Sequence, residues 1–215
     1  MQIVLNQRTL EQNKQLHWVL SPTLFVRIST RKVELQHDCI ADIMASMGET
    51  PMFDMGMPKP KGEWLLSGSF FASKGQTTNA GEARVEIAGC SKVINVFGNR
   101  QWQLGFPSAP TEFQAMPLDY PHAFGGDDFN LNPAGKGFKV DELPNLEVST
   151  DTITSNQGQY IPASFAPIDP SWPQRSRFQG TYDQRYMENY FPGYPQDMDW
   201  RLFMNAAEDQ WMDGF

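Results

Sequence analysis

"EARVEIAGCSKVINVFGNRQWQ", Glu82 to Gln103, is the stretch that decides the fold class. Val85 and Ile87 alternate with Arg84 and Glu86, the period-two pattern of a half-buried strand. "AGCS", Ala88 to Ser91, supplies turn residues. Val93 to Phe97 then runs apolar on both faces, as a central strand does. Strand, short turn and strand predict an antiparallel pair.

Upstream, "EWLLSGSFFAS" (Glu63 to Ser73) is rich in large apolar side chains but alternates less cleanly, and Gly68 within it suggests a bulge or a close backbone approach. These three runs at hairpin spacing suggest an antiparallel meander. In "TLFVRISTRKVEL", Leu24, Val26 and Ile28 alternate with Phe25, Arg27 and Ser29, predicting a further strand. Ile40, Ile43, Met44 and Met47 fall at i, i+3, i+4 and i+7, predicting a two-turn helix that Asp38 caps and Gly48 ends. Two turns are too few to stand alone, so this helix must lean on the sheet.

From Pro107 onward the sustained periods stop and prolines accumulate, which excludes central strands over most of the region. Aromatic residues nevertheless recur throughout it, unlike in a disordered linker. The half therefore reads as long ordered loops. "TYDQRYMENYF" and "DWRLFMNAAEDQWM" carry helical turns, the second with Leu202, Phe203, Ala206 and Gln210 on one side. The expectation is one mainly β domain, residues 1–215, with antiparallel sheets in a sandwich-like arrangement and a few short helices. Its strand-rich half is 1–106, and its loop-rich half, 107–215, wraps on that.

Fifteen Phe, six Trp and six Tyr among 215 residues are ample for a packed core. The net charge of −8 argues against a nucleic-acid or anionic-membrane surface, which needs clustered Lys and Arg. No basic segment followed by an apolar run opens the chain, and no apolar run approaches the ~20 residues of a membrane span. A soluble, cytoplasmic protein is expected. The two cysteines, Cys39 and Cys90, show neither CxxC nor metal-ligand spacing. Two reduced thiols are expected, the alternative being a bridge between them.

The densest chemistry is "YPHAFGGDDFNLNPAGKGF", Tyr120 to Phe138. A phosphate loop needs GxxxxGK and then Ser or Thr, whereas Lys136 lies between Gly135 and Gly137 and Phe138 follows. His122, Asp127 and Asp128 are the candidate metal ligands; zinc usually takes three or four His, Cys, Asp or Glu ligands, and neither of the other histidines lies nearby in sequence. The architectural reading uses the glycines, Asn132 with Pro133, and the phenylalanines. Gly125 and Gly126 take backbone angles closed to other residues, and Asn132 before Pro133 starts a turn with its side chain on its own backbone. Gly135 and Gly137 flank a reversal, and Phe124, Phe129 and Phe138 anchor the loop. No cofactor is expected. Ser164 lacks a GxSxG elbow, and the acidic pairs Asp197/Asp199 and Glu208/Asp209 read as solvated faces.

A series of short segments carries a further signal. They run "PKPKGEWLLSG" (Pro58 to Gly68), "VFGNRQW" (Val96 to Trp102), "MPLDYPHAFGG" (Met116 to Gly126), "NPAGKGF" (Asn132 to Phe138) and "LPNLE" (Leu143 to Glu147). "PASFAPI" (Pro162 to Ile168), "WPQR" (Trp172 to Arg175), "GTYD" (Gly180 to Asp183), "FPGYPQDMD" (Phe191 to Asp199) and "NAAEDQ" (Asn205 to Gln210) follow. In this order they resemble the bacterial family known as domain of unknown function 2169, associated with type VI secretion clusters. The resemblance implies a non-enzymatic adaptor or chaperone that holds a secreted effector in the cytoplasm and helps load it onto the spike or a spike-tip protein. It supplies no catalytic residues. Members of the family it resembles usually run on past the "DQ" with further strands, so the resemblance implies either a truncation or a short variant; if strands are missing, a sheet edge or part of the partner surface goes with them.

Tyr190, Tyr194, Trp200 and Trp211, among prolines and charges, are the expected exposed anchors for such a partner. The competing readings are a hydrolase working through His122, Asp127 and Asp128, and a structural component of a larger assembly.

Overall fold

The computed structural model describes residues 59–213 apart from 88, 156 and 157, and before them the backbone of four strands. β1 (Val4–Gln12) pairs antiparallel with β2 (Gln15–Thr23), and β3 (Val26–Ser29) with β4 (Lys32–Leu35). The single strand expected around Leu24 to Ile28 is thus part of a hairpin. Ile28 stands opposite Val33, because the polar run between them interrupts the alternation. The helix expected between Asp38 and Gly48, and Cys39 within it, lie outside the described residues.

Contacts divide the chain into two compact units, Met1–Lys59 with Gln179–Phe203, and Pro60–Phe178 with Met204–Phe215. The expected change of texture at 106/107 falls inside the second unit. The compositional change there marks a loss of regular period, and strands on either side of it pair with each other.

At the centre of the second unit, β7 (Ala80–Ile87) and β8 (Cys90–Phe97) form the predicted antiparallel pair, with Ala83 opposite Ile94. The other edge of β8 takes β14 (Leu146–Val148), with Leu146 opposite Val96. Lys92, Ile94 and Val96 are buried while Val93, Asn95 and Phe97 are half-buried, as a strand flanked on both sides requires.

The predicted meander is replaced by longer-range pairing. β6 (Ser69–Phe71) pairs with β11 (Ala115–Pro117), and β5 (Gly62–Glu63) with β15 (Trp211–Met212). Between β5 and β6 the backbone bonds to other segments in turn, Trp64 N–H to the Gln210 carbonyl and Leu66 N–H to that of Phe165. This sharing explains the imperfect alternation of "EWLLSGSFFAS". β9 (Trp102–Gln103) and β10 (Phe106–Pro107) make a small hairpin, and β12 (Phe124–Gly125) and β13 (Lys136–Gly137) a short parallel pair. The fold is mainly β, built from several small sheets that are mostly antiparallel, with few short helices.

One buried cluster gathers Trp64, Ile94, Val96, Met116, Leu118, Leu146, Phe165 and Met212. A second holds Phe124, Phe129, Leu143 and Ile153, with Trp102, Phe138 and Tyr160 packed against it. Fully burying an aliphatic or aromatic side chain of this size contributes about 1.5–3 kcal/mol relative to exposure.

In the 179–203 segment, a helix spans Gln184–Asn189. Asp183 caps it by accepting the Tyr186 N–H at 2.9 Å, satisfying a donor that a helix start leaves open. "DWRLFMNAAEDQWM" does not form one helical face. It makes two 3-10 turns, Trp200–Phe203 and Glu208–Gln210, because the Asn205 and Ala206 N–H groups between them donate to the Glu63 carboxylate. No helix among the described residues is long and apolar enough to cross a membrane.

Candidate functional site

The Tyr120–Phe138 loop closes on one buried amide. Asn132 Nδ2 donates to the carbonyls of Tyr120 (2.8 Å) and Phe124 (3.1 Å), and its own carbonyl accepts from Gly126 and Gly135. The expected bond from Asn132 to its own backbone is not what forms. The side chain ties the loop's end to its beginning, and Pro133 follows half-buried.

The glycines serve this closure in two ways. A Cβ on Gly125 would lie 2.1 Å from the Asn132 carbonyl oxygen, and one on Gly135 2.3 Å from Asn132 Nδ2. Gly126 and Gly137 instead have positive φ, 154° and 99°. Gly125 is therefore a close-approach position, not the conformational one expected. Phe124 stands edge-on to Phe129 and Phe138, with centroids 5.1 and 6.3 Å away.

The candidate metal ligands are not brought together. His122 Nδ1 is 2.5 Å from Asp119 Oδ1, and Asp128 pairs with Lys139 at 2.9 Å on the surface. Asp127 is exposed beside it. No group of three or more His, Cys, Asp or Glu able to hold a metal occurs among the described residues. Lys136 lies 4.0 Å from Glu142, not in a cradle of backbone N–H groups.

Sequence reasoning missed the main polar feature of the second unit, a set of buried contacts that joins the quoted segments in pairs. Glu63 of "GEW" accepts from Asn205 Nδ2 (3.0 Å) and from the N–H groups of Asn205 and Ala206 in "NAAEDQ". Arg100 of "VFGNRQW" pairs with Glu147 of "LPNLE" at 2.5 Å and donates to the Pro144 carbonyl at 2.7 Å. The second oxygen of Glu147 accepts the Ile153 N–H. Asn145 Nδ2 donates to Phe97 O and Asn99 Oδ1, binding the same two segments again.

Gln210 Nε2 donates to the carbonyls of Trp64 and Phe165, while its Oε1 accepts from Lys92 Nζ at 2.7 Å. Burial holds the Lys92 ammonium below the ordinary lysine value, and Asp209, 2.9 Å away, acts in the opposite direction. Ser164, without an elbow in sequence, donates to the Leu118 carbonyl. The available signal was that "GEW" and "LPNLE" each set a charged residue beside a large apolar neighbour, whereas Arg100, between Asn99 and Gln101, gave none. A buried charge demands a partner.

The four expected anchors are all half-buried. Trp211 Nε1 donates to the Ala206 carbonyl, Tyr190 OH to Gln196 Oε1, and Tyr194 packs edge-on against Phe203. Trp200 lies in the first 3-10 turn. Proline- and charge-rich surroundings did not make these rings exposed, because the short turns fold back over them.

The exposed apolar residues of the segment are Tyr182, Met187 and Phe191. They surround buried Tyr186, whose hydroxyl donates to the Gly193 carbonyl and whose ring meets Tyr182 at 4.7 Å and Phe191 at 6.4 Å. Beside them a cavity of about 400 Å³ is lined by Thr181, Asp183, Arg185, Tyr186, Tyr190, Gln196 and Asp197. Asp197 accepts from the N–H and hydroxyl of Thr181, which holds its carboxyl below the usual aspartate value. Aromatic rings on a rigid base beside a polar cleft suit recognition of a side chain or peptide segment.

The chain belongs to the family described as an uncharacterized protein conserved in bacteria, domain of unknown function 2169, whose model matches residues 29–215. No curated protein and no solved structure matches it.

Proposed function

We propose that the protein is a non-enzymatic adaptor or chaperone of the cytoplasm that binds a type VI secretion effector and helps load it onto the spike or spike-tip protein. One observation carries the reading beyond the family resemblance: seven charged and amide residues of the family-like segments are spent inside the fold. Glu63, Arg100, Glu147, Asn132, Asn145, Asn205 and Gln210 are bonded within the fold, where they fix loops instead of facing a substrate. The large apolar groups left facing solvent on the helix segment are Tyr182, Met187 and Phe191, residue types suited to a protein interface.

The test is co-expression of the full chain with each effector and spike-tip protein encoded beside it, followed by affinity capture and size-exclusion chromatography. A stoichiometric complex with one of them is expected. A folded sample that captures none of them overturns the reading.

A further inference from the structure

Leu104 and Lys139 are the non-glycine residues of the described chain whose backbone is left-handed, at φ 53° and 60°. Leucine is strained in that region, which suits Gly, Asn or Asp. Leu104 and Gly105 (φ 84°) form the tip of the β9–β10 hairpin, a place where Asn-Gly is the sequence that serves the turn alone. The Leu104 side chain is nevertheless fully exposed, and Phe106 beside it is 70% exposed. Strained backbone and apolar groups held in water are two separate costs at one tip, and such costs collect where binding uses them.

The second left-handed residue lies on the adjoining loop. The Trp102 N–H donates to the Asp141 carbonyl at 2.9 Å, and that of Leu143 to Arg100 at 3.0 Å, so residues 139–143 run alongside β9. Val140 on that loop is 52% exposed. Beneath, Trp102 and Phe138 both pack on the cluster of Phe124, Phe129, Leu143 and Ile153. Two loops therefore present apolar residues from one fixed base, and a preorganised knob loses little freedom on docking.

We infer that Leu104, Phe106 and Val140 form a docking knob that enters an apolar socket on a partner protein, and that Lys or Arg side chains rim the socket. The rim follows from charge. Asp141 and Glu142 are exposed on the second loop, and Asp127 and Asp128 on the Tyr120–Phe138 loop that Lys139 bonds to, against Lys136 and Lys139, which already face Glu142 and Asp128. This acidic excess repels an anionic bilayer and favours a basic border. The inference stands on the hairpin and does not require the partner to be an effector or spike protein.

The test places the photo-crosslinker p-benzoylphenylalanine at position 106 of the full chain in bacteria that encode it, with position 86 on β7 as control. The expected result is a crosslink from 106 to one protein, mapped to apolar residues flanked by Lys or Arg, with no such product from 86. Adding Leu104→Asp is expected to reduce the yield about tenfold, as loss of an anchor does. Crosslinks to lipid, to a second copy, to the chain itself, to a segment without basic residues, or to nothing overturn the inference. So does sedimentation with vesicles of phosphatidylcholine and phosphatidylglycerol. Leu104→Asn is expected to leave the melting temperature unchanged or raise it, and a clear fall would make Leu104 structural and overturn the knob.

The two proposals fail separately. A crosslink from 106 to a basic-rimmed apolar site keeps the knob even where affinity capture returns no effector or spike-tip protein and the adaptor reading falls. An effector complex formed by a chain that gives no crosslink from 106 keeps the adaptor reading and overturns the knob.

Discussion

Arg100 and Glu147 lie 47 residues apart in sequence and 2.5 Å apart in the core, with side-chain exposures of 6% and 0%. Removing either partner leaves a buried charge uncompensated, which costs about 3–5 kcal/mol, whereas an apolar pair of similar volume can be neutral. Glu147→Leu and Arg100→Met should each lower unfolding free energy by that order in denaturant titrations. Arg100→Met combined with Glu147→Leu should recover much of the loss. Strictly additive losses in the double variant would show that the two side chains do not act as a pair.

The glycine loop gives a second test. Gly125→Val forces a Cβ toward a backbone carbonyl already 2.1 Å from where it would sit, and Gly126→Val adds a β-branched side chain at φ 154°. Both should destabilise by several kcal/mol, at the level of the larger single-residue effects (~4 kcal/mol). His122→Ala, which breaks a half-exposed contact with Asp119, should cost far less. Thermal melts of the three variants decide the matter, and two fully stable valine variants would refute the close-packed loop.

Lys92 sets a pH signature. Its folded value lies below the unfolded 10.5, so between the two the unfolded chain binds a proton that the folded one has released. Stability must therefore rise with pH through that window, level off above 10.5, and be lower on the acid side. Lys92→Met should remove this rise. Denaturant titrations of both proteins from about pH 8 to 10.5 should show wild type gaining on the variant. Parallel curves would mean the ammonium is not desolvated.

Partner binding supplies the fourth prediction, conditional on the adaptor reading. Tyr182→Ala or Phe191→Ala should weaken the effector complex by ~2 kcal/mol if the ring is an anchor, with the melt unchanged. Trp211→Ala should instead lower the melting temperature, because the indole is bonded inside the fold. Added salt should slow association, given the net charge of −8, while aromatic contacts retain part of the affinity. Isothermal titration and stopped-flow mixing read both effects.

The β7–β8 pair was legible because Arg84 and Glu86 alternate with apolar neighbours and "AGCS" divides the strands. The aromatic anchoring of Phe124 was legible for a similar local reason, being set by residues a few positions away. Glu63 was not. Its partners, Asn205 and Ala206, are 142 and 143 residues on, and no period or turn rule connects such positions. The β6–β11 pairing was lost in the same way, since one strand of three residues carries too short a pattern to name its partner. Exposure of Tyr190, Tyr194, Trp200 and Trp211 was misjudged because composition says how polar a neighbourhood is, not which ring a turn covers.

The pairing of Gly62 and Glu63 with Met212 and Trp211 bears on synthesis. On the ribosome, Glu63 emerges long before the strand and the Asn205 amide that complete it. At about 5–20 residues per second that interval is on the order of ten seconds. Trp64, bonded to Gln210 in the finished fold, spends the interval as nascent, unsealed apolar surface. Residues 179–203 emerge inside the same interval and belong to the other unit, so neither unit can be cut out as one continuous fragment. The segment from Asn205 to Met212 acts as the clasp.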